Sequence, residues 1–226
     1  MRKTVIYLLF AFISWTSYAA DTDFGLIKLP INDLYTELNL SETGLSKAVF
    51  DLAIKGLDKL DSTGKLQNAT IVTIADYSQS SNRKRLYVID LKNKRLLFNT
   101  YVAHGRNTGE EYAHNFSNLD GSSKSSMGFY VTEHPIVGGH TGFALLINGM
   151  EKGYNDNALR RAIIIHAANY ATSDFIKRNG RLGRSLGCPA LPPDLNRPII
   201  DTIKGGTCLF IYTSDNRYLA SSALLN

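Results

Sequence analysis

Two spacings of apolar residues divide the chain. Leu45, Val49, Phe50, Ala53, Ile54, Leu57 and Leu60 recur every three or four positions, which lines one face of an α-helix. Ser41 stands before this run as an N-cap and Gly64 just past it as a stop. A shorter helix is expected around Asp33–Leu38. From about Asn68 the pattern changes to short apolar runs broken by Gly, Asn and Ser. ATIVTIADYS (69–78), KRLYVIDL (84–91), RLLFNTYVAHG (95–105) and GFYVTEH (128–134) read as strands. So do FALLING (143–149), AIIIHAA (162–168) and TCLFIYTS (207–214). DLKNKRLL (90–97) is expected to turn as a hairpin. PDLNRPIIDTIKGG (193–206) is the one clear helix of this half, with Asn196 as a cap, Pro198 in its first turn and Gly205–Gly206 as a stop. The prediction is a mainly β domain with few helices over residues 67–226, preceded by a helical segment over 21–66 that packs on it.

The first twenty residues do not belong to that pattern. A basic MRK, the apolar stretch TVIYLLFAFISW and the small residues of SYAAD have the order of a secretory signal peptide cleaved near Ala19 or Ala20. An uncleaved anchor is the competing reading, and the run is short for a span. Removing Arg2 and Lys3 takes the formal charge from +5 to +3. That weak balance gives no reason to expect nucleic acid and suits an anionic polymer or simple solubility. No later segment is long and apolar enough to cross a membrane. The expected location is periplasmic or secreted.

Export changes how the two cysteines are read. Cys188 sits in GRLGRSLGCPALPP (180–193) and Cys208 in a strand. Composition alone leaves a disulfide and two free thiols equally open. The chemistry favours looking harder at Cys188, because His166 closes a strand of three isoleucines upstream of it. A thiol needs a base or a cation to become a nucleophile, and a strand-end histidine is rigidly held. Gly187 allows the loop to aim backbone amides at an oxyanion. Pro189 has no N–H, so the donors must come from Leu186, Gly187 and Cys188.

At these residues the chain resembles the murein L,D-transpeptidase family, whose motif runs as a histidine, a variable spacer and Ser/Thr-x-Gly-Cys. Here it reads His166, eighteen residues, then Ser185-Leu186-Gly187-Cys188, followed by Pro189-Ala190. KRLYVIDL, FSNLDGSSKSSMGFYVTEH and LINGMEKGYNDNALRRAIIIHAANY extend the likeness over about residues 68–213, with SSMGFYV at the family's Thr-Pro-x-Gly-x-Phe/Tyr strand entry. The resemblance implies a β-sandwich-like catalytic domain acting on peptidoglycan stem peptides. Cys188 would be acylated at diaminopimelate with loss of D-alanine, and His166 would act as base and then acid. An amine acceptor gives a 3–3 cross-link and water gives an L,D-carboxypeptidase. No metal or organic cofactor is implied, and Ser185 is expected to brace the loop or hold His166.

The chain also departs from the family pattern. Its spacer is longer than in common members, Leu186 stands where histidine is frequent, and HAA replaces HG. CPAL lacks the arginine usual after the cysteine, so Arg181 or Arg184 is expected to bring positive charge from the other side. Stem-peptide carboxylates are expected at Arg160 or Arg161, with Asn148 on the same segment. His104 and the polar loop 116–126, ending at Ser126, are further cleft candidates. EEYAH (110–114) is half of a carboxylate–histidine metal site with no second half in sight. Two other classes compete with the enzyme: a wall-binding domain that has lost turnover, and a secreted domain stapled by Cys188–Cys208.

Overall fold

The computed structural model describes residues 31–226, so the signal segment expected over residues 1–20 lies outside the described residues. Two helices come first, α1 (Ile31–Glu37) and α2 (Lys47–Ser62). The N-cap of α2 is Ser46, whose Oγ accepts from the Val49 amide at 3.3 Å, and not Ser41. Gly44 lies between them at φ +89°, a left-handed turn that a helix started at Ser41 could not contain.

Eight strands follow: β1 (Ile71–Asp76), β2 (Leu86–Asp90), β3 (Arg95–Thr100), β4 (Gly128–Gly138), β5 (Gly142–Gly149), β6 (Ile164–Ala167), β7 (Ala190–Leu191) and β8 (Cys208–Tyr212). They form one sheet in the order β3-β2-β1-β8-β4-β5-β6-β7. The pairs β1/β8 and β6/β7 are parallel and the others antiparallel. After β3 the chain returns to the far edge, where Ala103 bridges Ala190 and Gly105 bridges Ser185. The sheet is thereby bent towards a barrel, and its two edges meet beside Cys188. The predicted strands and the 90–97 hairpin are all present. Three helices are interspersed: α3 (Ser173–Asn179), α4 (Pro193–Ile203) and α5 (Asn216–Ser221).

Both faces of the sheet are buried, which explains why the strands read as apolar runs more than as alternation. Val72, Ile74, Phe129, Val131 and Phe210 pack under α2, while Ala75, Tyr130, Leu145, Ile147, Ile163, Ile165 and Leu209 form a second core. α4 closes the second core with Ile199, Ile200 and Ile203. It starts at Pro193, and Asn196 is not its cap: it lies within the helix, nearly buried, donating to the Phe143 carbonyl at 2.7 Å. Pro198 sits mid-helix and not in the first turn. At Gly56, α2 comes so close to β4 that a Cβ would stand 2.0 Å from the Phe129 ring.

Candidate active site

The parallel pairing of β6 with β7 sets His166 opposite Ala190, two residues beyond Cys188. The three isoleucines before His166 are buried as expected, so the ring issues from a fixed strand end. Its Nδ1 lies 2.9 Å from the Ala167 carbonyl. A carbonyl only accepts, so Nδ1 carries the proton of the neutral ring and Nε2 is left as its basic nitrogen.

Cys188 follows a tight loop whose shape Ser185 maintains. Ser185 Oγ donates to the Cys188 carbonyl at 2.6 Å and accepts from the Gly187 amide at 3.0 Å. Ser185 is thus a brace. The Gly187 amide is committed to that brace and is not a free oxyanion donor, which corrects the set of three inferred from sequence. Gly187 itself has φ +133°, and a Cβ there would stand 2.9 Å from the Lys124 carbonyl. Only glycine meets both conditions.

The half-buried thiol of Cys188 donates to the Ala162 carbonyl at 3.8 Å. Burial pushes its pKa up, while the Ile164 amide and the Arg161 guanidinium pull it down. Burial is the larger effect, so the net shift is upward. Both cysteines are free. Cys208 lies in the core under α2 and Cys188 packs against the other one, so the sheet separates them and the disulfide alternative is overturned.

A pocket of about 350 Å³ adjoins the 185–188 loop, lined by Asp120, Ser123, Arg160, Arg161, Ile163 and Leu186 among others. Arg160 lines its rim, exposed and paired with Asp120 at 2.8 Å. Arg161 turns inward and binds the 117–126 loop.

Other candidates lie elsewhere. Arg181 and Arg184 both clamp Glu110, so neither points its charge at Cys188. Ser126 is buried, donating to the Ser117 carbonyl and accepting from Arg161 at 2.5 Å. It supports the loop and is closed to substrate. Asn148 lies within β5 opposite Val131, away from the pocket lining. His104 is buried, not in the cleft: Nδ1 accepts from Arg85 at 2.7 Å and Nε2 donates to the Gly109 carbonyl at 3.2 Å. Burial and the adjacent guanidinium push its pKa down to about 3. Glu111 is held by Ser80 and Glu110 by the two arginines, so EEYAH is engaged in structural contacts.

The sequence could not separate Arg160 from Arg161, because neighbouring arginines in a turn have no periodicity to show which faces inward. The Ala162 and Ala167 carbonyls were invisible for a simpler reason: every residue has one.

Solved structures with a similar chain path include an L,D-transpeptidase from Mycobacterium smegmatis, 12% identical over 64% of this chain and 59% of that one, with a TM-score of 0.40. The helical cell shape determining protein Pgp2 of Campylobacter jejuni, a K307A mutant, is 14% identical over 72% of this chain and 57% of that one, at 0.45. An L,D-transpeptidase from Stackebrandtia nassauensis is 14% identical, covering 81% and 76%, at 0.39. The chain thus spans less than two thirds of the first two proteins. No curated protein matches the sequence. The sequence model of the L,D-transpeptidase catalytic domain, by contrast, fits residues 41–212, from just before α2 to the end of β8 with His166 and Cys188 inside it; this chain belongs to that family.

Proposed function

We propose that the chain is an exported cysteine enzyme acting on peptidoglycan stem peptides. The observation that carries this reading is the β6/β7 register, which brings a free thiol and a strand-held imidazole to the same sheet edge beside an open pocket. His166 Nε2 takes the Cys188 proton as sulfur attacks the diaminopimelate carbonyl that bears the terminal D-alanine. The oxyanion is met by the amides of Leu186 and Cys188, the two that remain once Gly187 is engaged. Collapse breaks the C–N bond, the protonated His166 gives its proton to the leaving amine, and a thioester remains. An amine of a second stem then attacks the thioester carbonyl and gives its proton to His166. The sulfur leaves and is reprotonated, giving a 3–3 cross-link. Water in place of the amine gives the L,D-carboxypeptidase product.

His166 acts here as a general base during attack, drawing the proton from a thiol whose pKa burial pushes up. The scheme calls on no metal or organic cofactor. Export rests on the N-terminal signal pattern; among the described residues no helix is long and apolar enough to cross a membrane.

Incubating the protein with purified tetrapeptide muropeptides, with products identified by mass, tests the proposal. Loss of D-alanine accompanied by a cross-linked dimer or a tripeptide is expected, and Cys188→Ala should abolish both. Retained binding with no acyl-enzyme and no product would identify the wall-binding alternative instead.

A further inference from the structure

The turn before β6 ends on Arg161 and Ala162, and both touch the nucleophile loop or its support. The Arg161 guanidinium makes four hydrogen bonds, all into 117–126. Nη1 donates to the Ser117 carbonyl at 2.8 Å and Ser126 Oγ at 2.5 Å; Nη2 donates to Ser122 Oγ at 3.2 Å and the Lys124 carbonyl at 2.7 Å. Nη2 also stands 3.4 Å from where a Gly187 Cβ would be. The same loop also holds Gly187 directly, Ser125 Oγ donating to the Gly187 carbonyl at 2.9 Å. Ala162, held at φ +52°, supplies the carbonyl that accepts the Cys188 thiol.

All four acceptors are neutral. Asp120, the nearby acid, forms its ion pair with Arg160, so the charge of Arg161 is not cancelled by contact. The other titratable groups around Cys188 are His166 on β6, Tyr77 after β1 and Tyr170 after β6. Burial raises both tyrosines, Tyr170 to about 12, which leaves them neutral near pH 7. Arg181 and Arg184 spend their charge on Glu110. Among the described residues Arg161 is therefore the cation that acts on this sulfur without a carboxylate in contact, with Asp120 and the buried Tyr130 hydroxyl acting on it from nearby.

We propose that Arg161 is a positioning residue: its fork fastens the 117–126 loop against the Gly187–Cys188 turn, and its charge faces the sulfur where anions form. The inference rests on Cys188 being the nucleophile. A lysine could supply the charge but not a planar fork that reaches four acceptors.

The test is the pH profile of Cys188 alkylation by iodoacetamide, with thermal unfolding and limited proteolysis followed alongside. Arg161→Gln should lower the rate at pH 7 about tenfold and move the midpoint to higher pH. Arg217→Gln, on the exposed face of α5 and outside the site, should leave the profile unchanged. Arg161→Lys should keep the wild-type midpoint while cleavage within 117–126 becomes faster. A folded Arg161→Gln with an unchanged profile would overturn the proposal. If that variant does not fold, Arg161→Lys decides: unchanged cleavage removes the fastening role, and a shifted midpoint removes the electrostatic one. Alkylation requires no peptidoglycan, so failure here is distinguishable from failure of muropeptide turnover.

Discussion

Arg85 donates to Nδ1 of His104 across 2.7 Å, and both residues are buried. The remaining Arg85 bonds go to the Val102 and Gln79 carbonyls, and its guanidinium lies 4.7 Å from the Tyr77 ring centroid. Among the described residues no carboxylate is in ion-pair contact with it, and burial pushes its pKa down to about 10 against the opposing effects of Tyr77 and Asp76. The His104 carbonyl accepts the Ser185 amide at 2.9 Å, so this buried pair lies directly behind the loop that carries Cys188.

The pair makes stability depend on pH. His104 has a folded pKa of about 3 against an ordinary 6.5, so between those values only the unfolded chain binds the proton. Stability therefore falls as pH drops below the ordinary value, by about 2 kcal/mol between pH 7 and 5 from this group. Urea unfolding at the two pH values measures it. His104→Gln should flatten the slope.

Ser185→Ala removes both the donor to the Cys188 carbonyl and the acceptor for the Gly187 amide. The expected loss of stability is about 1–2 kcal/mol. Acylation should fall about ten- to a hundredfold, because the sulfur and its amide donors lose their fixed geometry. Single-turnover acylation compared with the unfolding midpoint separates the two effects. A variant that acylates at the wild-type rate would show that the loop holds itself without Ser185.

Two free thiols predict a simple titration. Denatured protein should give two reactive thiols with or without reductant; native protein should give one fast thiol, Cys188, and one that reacts only on unfolding. Burial raises the Cys208 thiol far above its ordinary range, with Glu151 adding to the effect. Cys208→Ala should cost about 1 kcal/mol for the small cavity and leave turnover unchanged. A reductant-dependent count would contradict the structure.

Gly56→Ala tests the contact between α2 and the sheet. Alanine ordinarily stabilises a helix interior by about 1 kcal/mol relative to glycine. Here the added methyl would meet the Phe129 ring at 2.0 Å, so the sign should reverse, with a loss of about 1–3 kcal/mol. Thermal unfolding of this one variant measures it.

Much of the fold was legible from local pattern. The helix over Lys47–Ser62 follows from apolar spacing, and the seven longer strands follow from apolar runs between turn residues. β7 was not legible because two residues carry no period; it exists only because Ala190 and Leu191 pair with His166 and Ala167. The caps at Ser41 and Asn196 were misplaced because several polar residues stood near each helix start. Gly44 and the Phe143 carbonyl, respectively, decided their roles.

The sequence by itself determined the chemistry at hand: one loop cysteine beside glycine and proline, and one histidine at the end of an apolar strand. These are properties of residue type and order, and they survive any arrangement of the rest. Only the tertiary structure decided which charges reach the sulfur. Arg181 and Arg184, close in sequence, turn to Glu110, whereas Arg161, twenty-seven residues away, lies against Gly187. Side-chain direction and cross-strand register are collective outcomes of packing, so no local stretch contains them. The same holds for the two cysteines, which twenty residues of chain would allow to pair and the thickness of a buried sheet keeps apart.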